Sequence, residues 1–184
     1  MQFTAADEGR HDDAPGVESW AFALDGASAA GEIRLTIDAE HRRAAFVVDL
    51  VLARVGRVVV ADESVPMPRP TAGLEIRADG LWASLYCETP FEHWTLGLEA
   101  FGLRVERDAS APTWDDLVGE RLPVGFDLEW EVAEDPEPVV DGAGYRQVGP
   151  VHGDVLVATD RLDIAAPAVR EHWWGVMTAP SAGA

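Results

Sequence analysis

The sequence contains no lysine. All 14 of its Lys+Arg residues are arginine, so no reaction that needs a lysine Schiff base is open to it. Cysteine is almost absent. The single residue, Cys87, excludes an intrachain disulfide, and a free cysteine usually serves as a small buried hydrophobe. Positions 1–16 show neither the basic region nor the apolar region of a signal peptide. No apolar run reaches the roughly 18 residues of a membrane-spanning helix. A cytoplasmic protein without a membrane span is the expectation.

Positive charge is scarce throughout. The 14 arginines face 33 acidic residues, for a formal net charge of -19. Such a surface repels nucleic-acid phosphates and anionic lipid headgroups, so neither is an expected partner. Missing motifs narrow the chemistry further. There is no GxSxG elbow, no GxGxxG turn and no P-loop, so no nucleotide cofactor is expected. No HxH or HExxH pair occurs, and the lone cysteine excludes zinc-finger spacings, so no metal is expected either. A histidine site would have to be assembled in three dimensions, from His93, His152 and His172.

What is present suits one globular domain. The chain has 184 residues with 47% hydrophobic content, enough to bury a core without staples. Positions 1–16 form a polar arm, 17–176 a β domain and 177–184 a loose tail. Strand signals dominate the domain. Trp20, Phe22 and Leu24 share one face of the segment from Glu18 to Leu24. Ile33, Leu35 and Ile37 do the same between Gly31 and Asp38. Ala45–Ala53 is nearly all apolar and reads as buried on both faces, and Arg57–Ala61 is a short valine run. Val65–Pro70 is too rich in proline for a central strand. Leu74–Ala78 and Leu81–Tyr86 flank Asp79-Gly80, a type I′ hairpin signal. His93–Val105 is a long strand with Gly97 and Gly102 as bends. Thr113–Val118 is the one helical candidate. Val124–Val132 alternates, with Phe126, Leu128, Trp130 and Val132 on one face. An acidic linker, Glu134–Asp141, precedes strands at Tyr145–Val157, Arg161–Ile164 and Val169–Val176. This pattern predicts an all-β fold, an antiparallel barrel or strongly curved sheet with one short helix near 113–118. A sandwich without a pocket is the bland alternative.

Two clusters mix aromatic and acidic residues. One runs from Leu81 to Phe101 and contains Trp82, Tyr86, Glu88, Glu92, His93, Trp94, Glu99 and Phe101. The other is Arg170-Glu171-His172-Trp173-Trp174-Gly175, where alternation puts His172 and Trp174 on one face. In a half-solvated sheet this alternation is ordinary. Inside a barrel it would surround a titratable group with rings. Burial raises a carboxyl pKa and leaves a proton to donate, and aromatic faces stabilise positive charge. Acid–base function is therefore expected from His172 with Glu88, Glu92, Glu99 or Glu171. The ligand wall is expected from Trp82, Tyr86, His93, Trp94, Phe101, Trp130, Tyr145 and Trp174.

Tyr145-Arg146-Gln147-Val148-Gly149-Pro150-Val151-His152-Gly153, followed by Arg170-Glu171-His172-Trp173-Trp174-Gly175, resembles the carotenoid 1,2-hydratase and AttH-like superfamily. The pattern there runs roughly Y-x-Q-x-G-x-V-x-G and then G-x-R-D-H-S-W-G. Arg170, His172, Trp174 and Gly175 match directly, and Glu171 replaces Asp. Ala168 stands for the usual Gly, Trp173 for a small residue, and Met177-Thr178-Ala179 for R-D-W. The resemblance implies an antiparallel lipocalin-like, calycin-type β-barrel, usually one of two in tandem, acting on isoprenoid, polyene or polyketide-like molecules. It implies cofactor-free chemistry, as in a hydratase, isomerase or cyclase. A second barrel is missing from the sequence, which implies a homo-oligomer or a partner that supplies it. A carrier that only binds a hydrophobic ligand, and a subunit that acts through assembly, are the rival readings.

Overall fold

A computed structural model describes residues 3–11, 15–69, 73–139 and 143–175. The expected tail at 177–184 lies outside these residues. Period-two alternation governs nearly every strand. In β2 (Ala29–Asp38), Ile33, Leu35 and Ile37 are buried. In β8 (Glu120–Glu131), Leu122, Val124, Phe126, Leu128 and Trp130 are buried, while Asp127, Glu129 and Glu131 face solvent. Side chains alternate across a pleated strand, so one face of each strand forms the core.

The strands are β1 (Val17–Asp25), β2, β3 (Arg43–Leu52), β4 (Gly56–Val65), β5 (Leu74–Ala78), β6 (Leu81–Thr89), β7 (His93–Val105), β8, β9 (Glu137–Pro138), β10 (Ala143–Val157) and β11 (Asp160–Gly175). All their pairings are antiparallel. The order β4-β3-β2-β1-β11-β10-β8-β7 closes on itself where β4 meets β7, giving an eight-stranded antiparallel β-barrel of the lipocalin-like kind. The β5–β6 hairpin extends from β7 beside the closure.

The closure is short. It pairs Arg57 with Val105, Val58 with Arg104 and Val59 with Leu103. Gly102 permits it. A Cβ there would sit 2.8 Å from the Val59 carbonyl oxygen and 2.8 Å from a Val60 methyl. Gly102→Ala is expected to cost roughly 1–3 kcal/mol, the usual range for overpacking, read as a lower urea midpoint. An unchanged midpoint would show that β4 and β7 separate freely.

Several expected elements change form. Ala45–Ala53 is not buried on both faces. Ala44, Phe46, Val48, Leu50 and Leu52 are buried while the residues between them are only half-buried, because in a barrel one face of β3 looks outward. Arg161–Ile164 and Val169–Val176 join as one strand, β11. Its Pro167 sits opposite Pro150. Pro167 lies just beyond the last β1 pair, at Ala168, and Pro150 just beyond the last β8 pair, at Val151. Each proline therefore falls at the end of a ladder, where a missing N–H is tolerated. In the Asp79-Gly80 turn only Gly80 has positive φ, at 74°, so the turn is not type I′, which needs both. The expected helix at 113–118 is a single 3-10 turn, Trp114–Asp116, in which the Thr113 hydroxyl donates to the Asp116 carboxylate at 2.9 Å.

The barrel interior is filled. Phe22, Ile33, Leu35, Leu96, Leu128, Trp130 and Val151 are fully inaccessible, so no water-sized void opens onto them. The crevice where β4 leaves β7, about 300 Å³, is lined by Val59, Phe101, Leu103, Trp114 and Arg121 on the outside. No helix among the described residues is long and apolar enough to cross a membrane.

Candidate functional site

One end of the barrel is polar inside. Three rungs across β1, β11 and β10 build it. Glu18 pairs with Trp174, and Trp174 with Ala143; Trp20 pairs with His172, and His172 with Tyr145; Phe22 pairs with Arg170, and Arg170 with Gln147. Alternation turns Glu18, Trp20, Phe22, Arg170, His172, Tyr145 and Gln147 all inward, and each is buried. A 3-10 turn, Ala5–Glu8, lies across this end and brings Glu8 and His11 to it.

Arg170 is 1% exposed. Its guanidinium donates to both Glu8 carboxylate oxygens, at 2.8 and 2.9 Å, and to the Gln147 side-chain oxygen. The rings of Trp94, Trp130 and Tyr145 lie 5.0–5.2 Å from its carbon, within cation–π range. The Phe91 N–H also donates to Glu8, at 2.7 Å. The charge is thus matched by one carboxylate and enclosed by aromatic faces. Its Nε, with the indole N–H groups of Trp20, Trp94 and Trp130, has no hydrogen-bond partner among the described residues.

His172 is the second centre and is wholly buried. Its Nε2 lies 2.9 Å from Glu18 Oε1, and its Nδ1 lies 3.4 Å from the Tyr145 hydroxyl. His11 Nδ1 approaches the same Glu18 oxygen at 2.8 Å, and the His11 N–H donates to both Glu18 oxygens, at 3.1 and 3.0 Å. The His172 ring stacks on Trp20, and the His11 ring stacks on Trp174. Burial lowers the pKa of His172, more than Glu18 raises it. Burial works to raise the pKa of Glu18, but hydrogen bonds from His172 and His11 bring it below the usual value. Burial also raises the pKa of Tyr145. The resting arrangement is therefore a neutral imidazole, an ionised carboxylate and a protonated phenol. His172 Nε2–H donates to Glu18, which leaves the Nδ1 lone pair facing Tyr145.

Of the residues singled out in the sequence, the structure gathers Trp94, Trp130, Tyr145, His172 and Trp174 at this end. The expected carboxylates are elsewhere. Glu88, Glu92 and Glu99 are exposed, and Glu171 is half-buried, out of phase with the inward face of β11. Odd-numbered β7 residues and even-numbered β6 residues face outward, which also removes His93 and Trp82. Trp82 lies over Gly97 on the outer surface, and His93 sits 3.4 Å from exposed Glu129. Tyr86 and Phe101 are more than half exposed. Burial pushes the Cys87 thiol up to about 11, so it is no nucleophile at neutral pH. The carboxylates that reach the site are Glu8 and Glu18, each hydrogen-bonded to a basic partner, Arg170 for Glu8 and His172 with His11 for Glu18. Glu18 left a signal, an acid in phase with Trp20, Phe22 and Leu24. Glu8 and His11 left none, because they lie in a segment that reads as a free arm.

The chain matches no family model, no curated protein and no solved structure.

Proposed function

We propose that this protein binds an apolar small molecule at the barrel end covered by residues 3–7 and carries out acid–base chemistry on it, as a hydratase or isomerase does. The observation that carries this reading is the buried His172–Glu18 pair with Tyr145 at its far nitrogen. A carboxylate that fixes the tautomer of a neutral histidine sets up a general base. A phenol kept protonated by burial supplies a proton donor beside it. The pair suits abstraction of a proton or activation of a water better than direct protonation of an alkene, because neither buried carboxylate is free of a basic partner.

Two further observations support the reading. The residues that carry the resemblance to the carotenoid 1,2-hydratase and AttH-like group, Tyr145, Gln147, Arg170 and His172, form a single buried cluster. Phe3 of the covering segment packs on Tyr145, 4.9 Å between ring centroids, so an apolar group already occupies the place proposed for the ligand. Isoprenoid, polyene and polyketide-like skeletons have the matching surface.

Solvent extraction of the protein purified from its own host, followed by mass spectrometry, tests the first half. A bound molecule of one of these classes is expected. Incubating that molecule with fresh protein tests the second half, with a product differing by water or by a double-bond position expected. Return of the ligand unaltered would make the protein a carrier. An empty extract from folded protein would end both readings.

A further inference from the structure

Three donor groups converge beside Tyr145. They are His11 Nδ1, Glu18 Oε1 and His172 Nε2, with their nitrogen and oxygen atoms all within 4.8 Å of one another. They come from the covering segment, β1 and β11, so the fold rather than a local motif assembles them. We propose that this trio is a binding site for a divalent transition-metal ion of the zinc class. The inference goes beyond the small-molecule reading and concerns a different state of the same groups: an ion on His172 Nε2 displaces the proton that Nε2 donates to Glu18 and leaves the ring proton on Nδ1, so the metal-bound site is not the acid–base pair of the metal-free one.

Two imidazole nitrogens and one carboxylate oxygen form a zinc ligand set, and three protein ligands leave a fourth position open. A zinc ion about 2.0–2.1 Å from each donor needs donor atoms about 3.3 Å apart. The two nitrogens lie 2.8 and 2.9 Å from Glu18 Oε1 and within 4.8 Å of each other, so an ion requires each nitrogen to move a few tenths of an ångström away from the carboxylate and the two nitrogens to take the same spacing of about 3.3 Å. Glu18 Oε2 keeps the His11 N–H, at 3.0 Å. Calcium and magnesium require more oxygen ligands than this set offers.

The surroundings fit the same purpose. Metal-binding histidines usually present their second nitrogen to an oxygen that fixes the ring. His172 Nδ1 faces the Tyr145 hydroxyl at 3.4 Å, and His11 Nε2 faces Asp7 Oδ1 at 3.8 Å. Both rings are held flat against indoles, His172 on Trp20 at 4.5 Å and His11 on Trp174 at 3.7 Å. The His172 side chain is inaccessible, while His11 is 21% exposed. The open position therefore lies on the His11 side, where solvent or a ligand oxygen can reach it. A second trio, Glu129, Glu131 and His152, has the same spread of donor atoms. Its side chains are 42–58% exposed, and no ring contact holds its histidine among the described residues. It serves as an internal control.

The test is a cobalt(II) titration of the full chain after EDTA treatment, followed by visible absorption. The expected result is a band that saturates at one equivalent and is displaced by zinc. His11→Ala should weaken cobalt binding at least ~100-fold, since loss of a ligand exceeds the ~10–100-fold effect of an outer partner. His11 lies outside the barrel strands, and near-UV circular dichroism confirms that the variant is folded. Tyr145→Phe should weaken binding about 10-fold, and His152→Ala should leave it unchanged. No saturable band, or a band kept in His11→Ala and lost in His152→Ala, would overturn the proposal. Solvent extraction on metal-free protein reports separately on the organic ligand, so either idea can fail alone.

Discussion

Glu8→Gln is expected to destabilise the fold by roughly 3–5 kcal/mol, the cost of leaving a buried charge without its partner. The Arg170 guanidinium is 1% exposed, so water cannot take over from the lost carboxylate. Glutamine keeps the size and one acceptor oxygen but not the charge. The three aromatic rings around Arg170 offer attraction of about 0.5–2 kcal/mol each, too little to replace a counter-charge in a desolvated site. Against a typical total of about 5–15 kcal/mol, the loss is large, and urea unfolding reads it directly.

Two routes of relief separate themselves in the same variant. If the covering segment alone lifts and lets water reach Arg170, the Phe91 amide, which donates to Glu8 at 2.7 Å, exchanges faster while strand amides keep their protection. If the barrel end is cooperative with the rest, every slow amide accelerates together. A loss under about 1 kcal/mol with unchanged Phe91 exchange would mean that the pair does not hold the segment. Replacing both partners with apolar residues, Glu8→Leu with Arg170→Met, should recover most of the loss, because a matched apolar pair pays no desolvation.

Strand sequence made the barrel legible and left the covering segment obscure, for one physical reason. Period-two alternation is a local property, so Trp20, Phe22 and Leu24, or Phe126, Leu128 and Trp130, announce an inward face without knowledge of their neighbours. The same rule placed His172 and Trp174 together. The partner carboxylate is a different kind of fact. Glu171 lies next to His172 in the chain but out of phase with it, whereas Glu18 is two strand positions from Trp20, which pairs with His172. Only the β1–β11 register reveals this. Glu8 is further still, reaching Arg170 across 162 positions from a segment with no periodicity. Its acidic, polar composition is what a solvated arm shows, and one buried ion pair does not alter composition. The closure at Gly102 was half legible: the glycine suggested a bend, but its actual role, a close approach of β4, depends on a pairing between distant strands.

Under the proposed acid–base reaction the Glu18–His172 pair acts as a unit, and kinetics should show it. His172→Ala is expected to lower turnover of the extracted ligand about 100-fold, at the lower end of the ~10²–10⁴ range of general acid–base catalysis. Glu18→Gln should cost a similar factor by another route. A glutamine amide can turn its NH₂ toward His172 Nε2, which drives the proton to Nδ1. The lone pair that faces Tyr145 is then gone, although every heavy atom stays in place. The double variant should be no slower than either single one, because the second substitution removes something already lost. Both losses should fall on kcat more than on KM, since neither residue contributes the apolar wall. Costs that multiply in the double variant, to about 10⁴, would show two independent roles and dissolve the pair as a catalytic unit. Full turnover in His172→Ala would remove His172 from the chemistry.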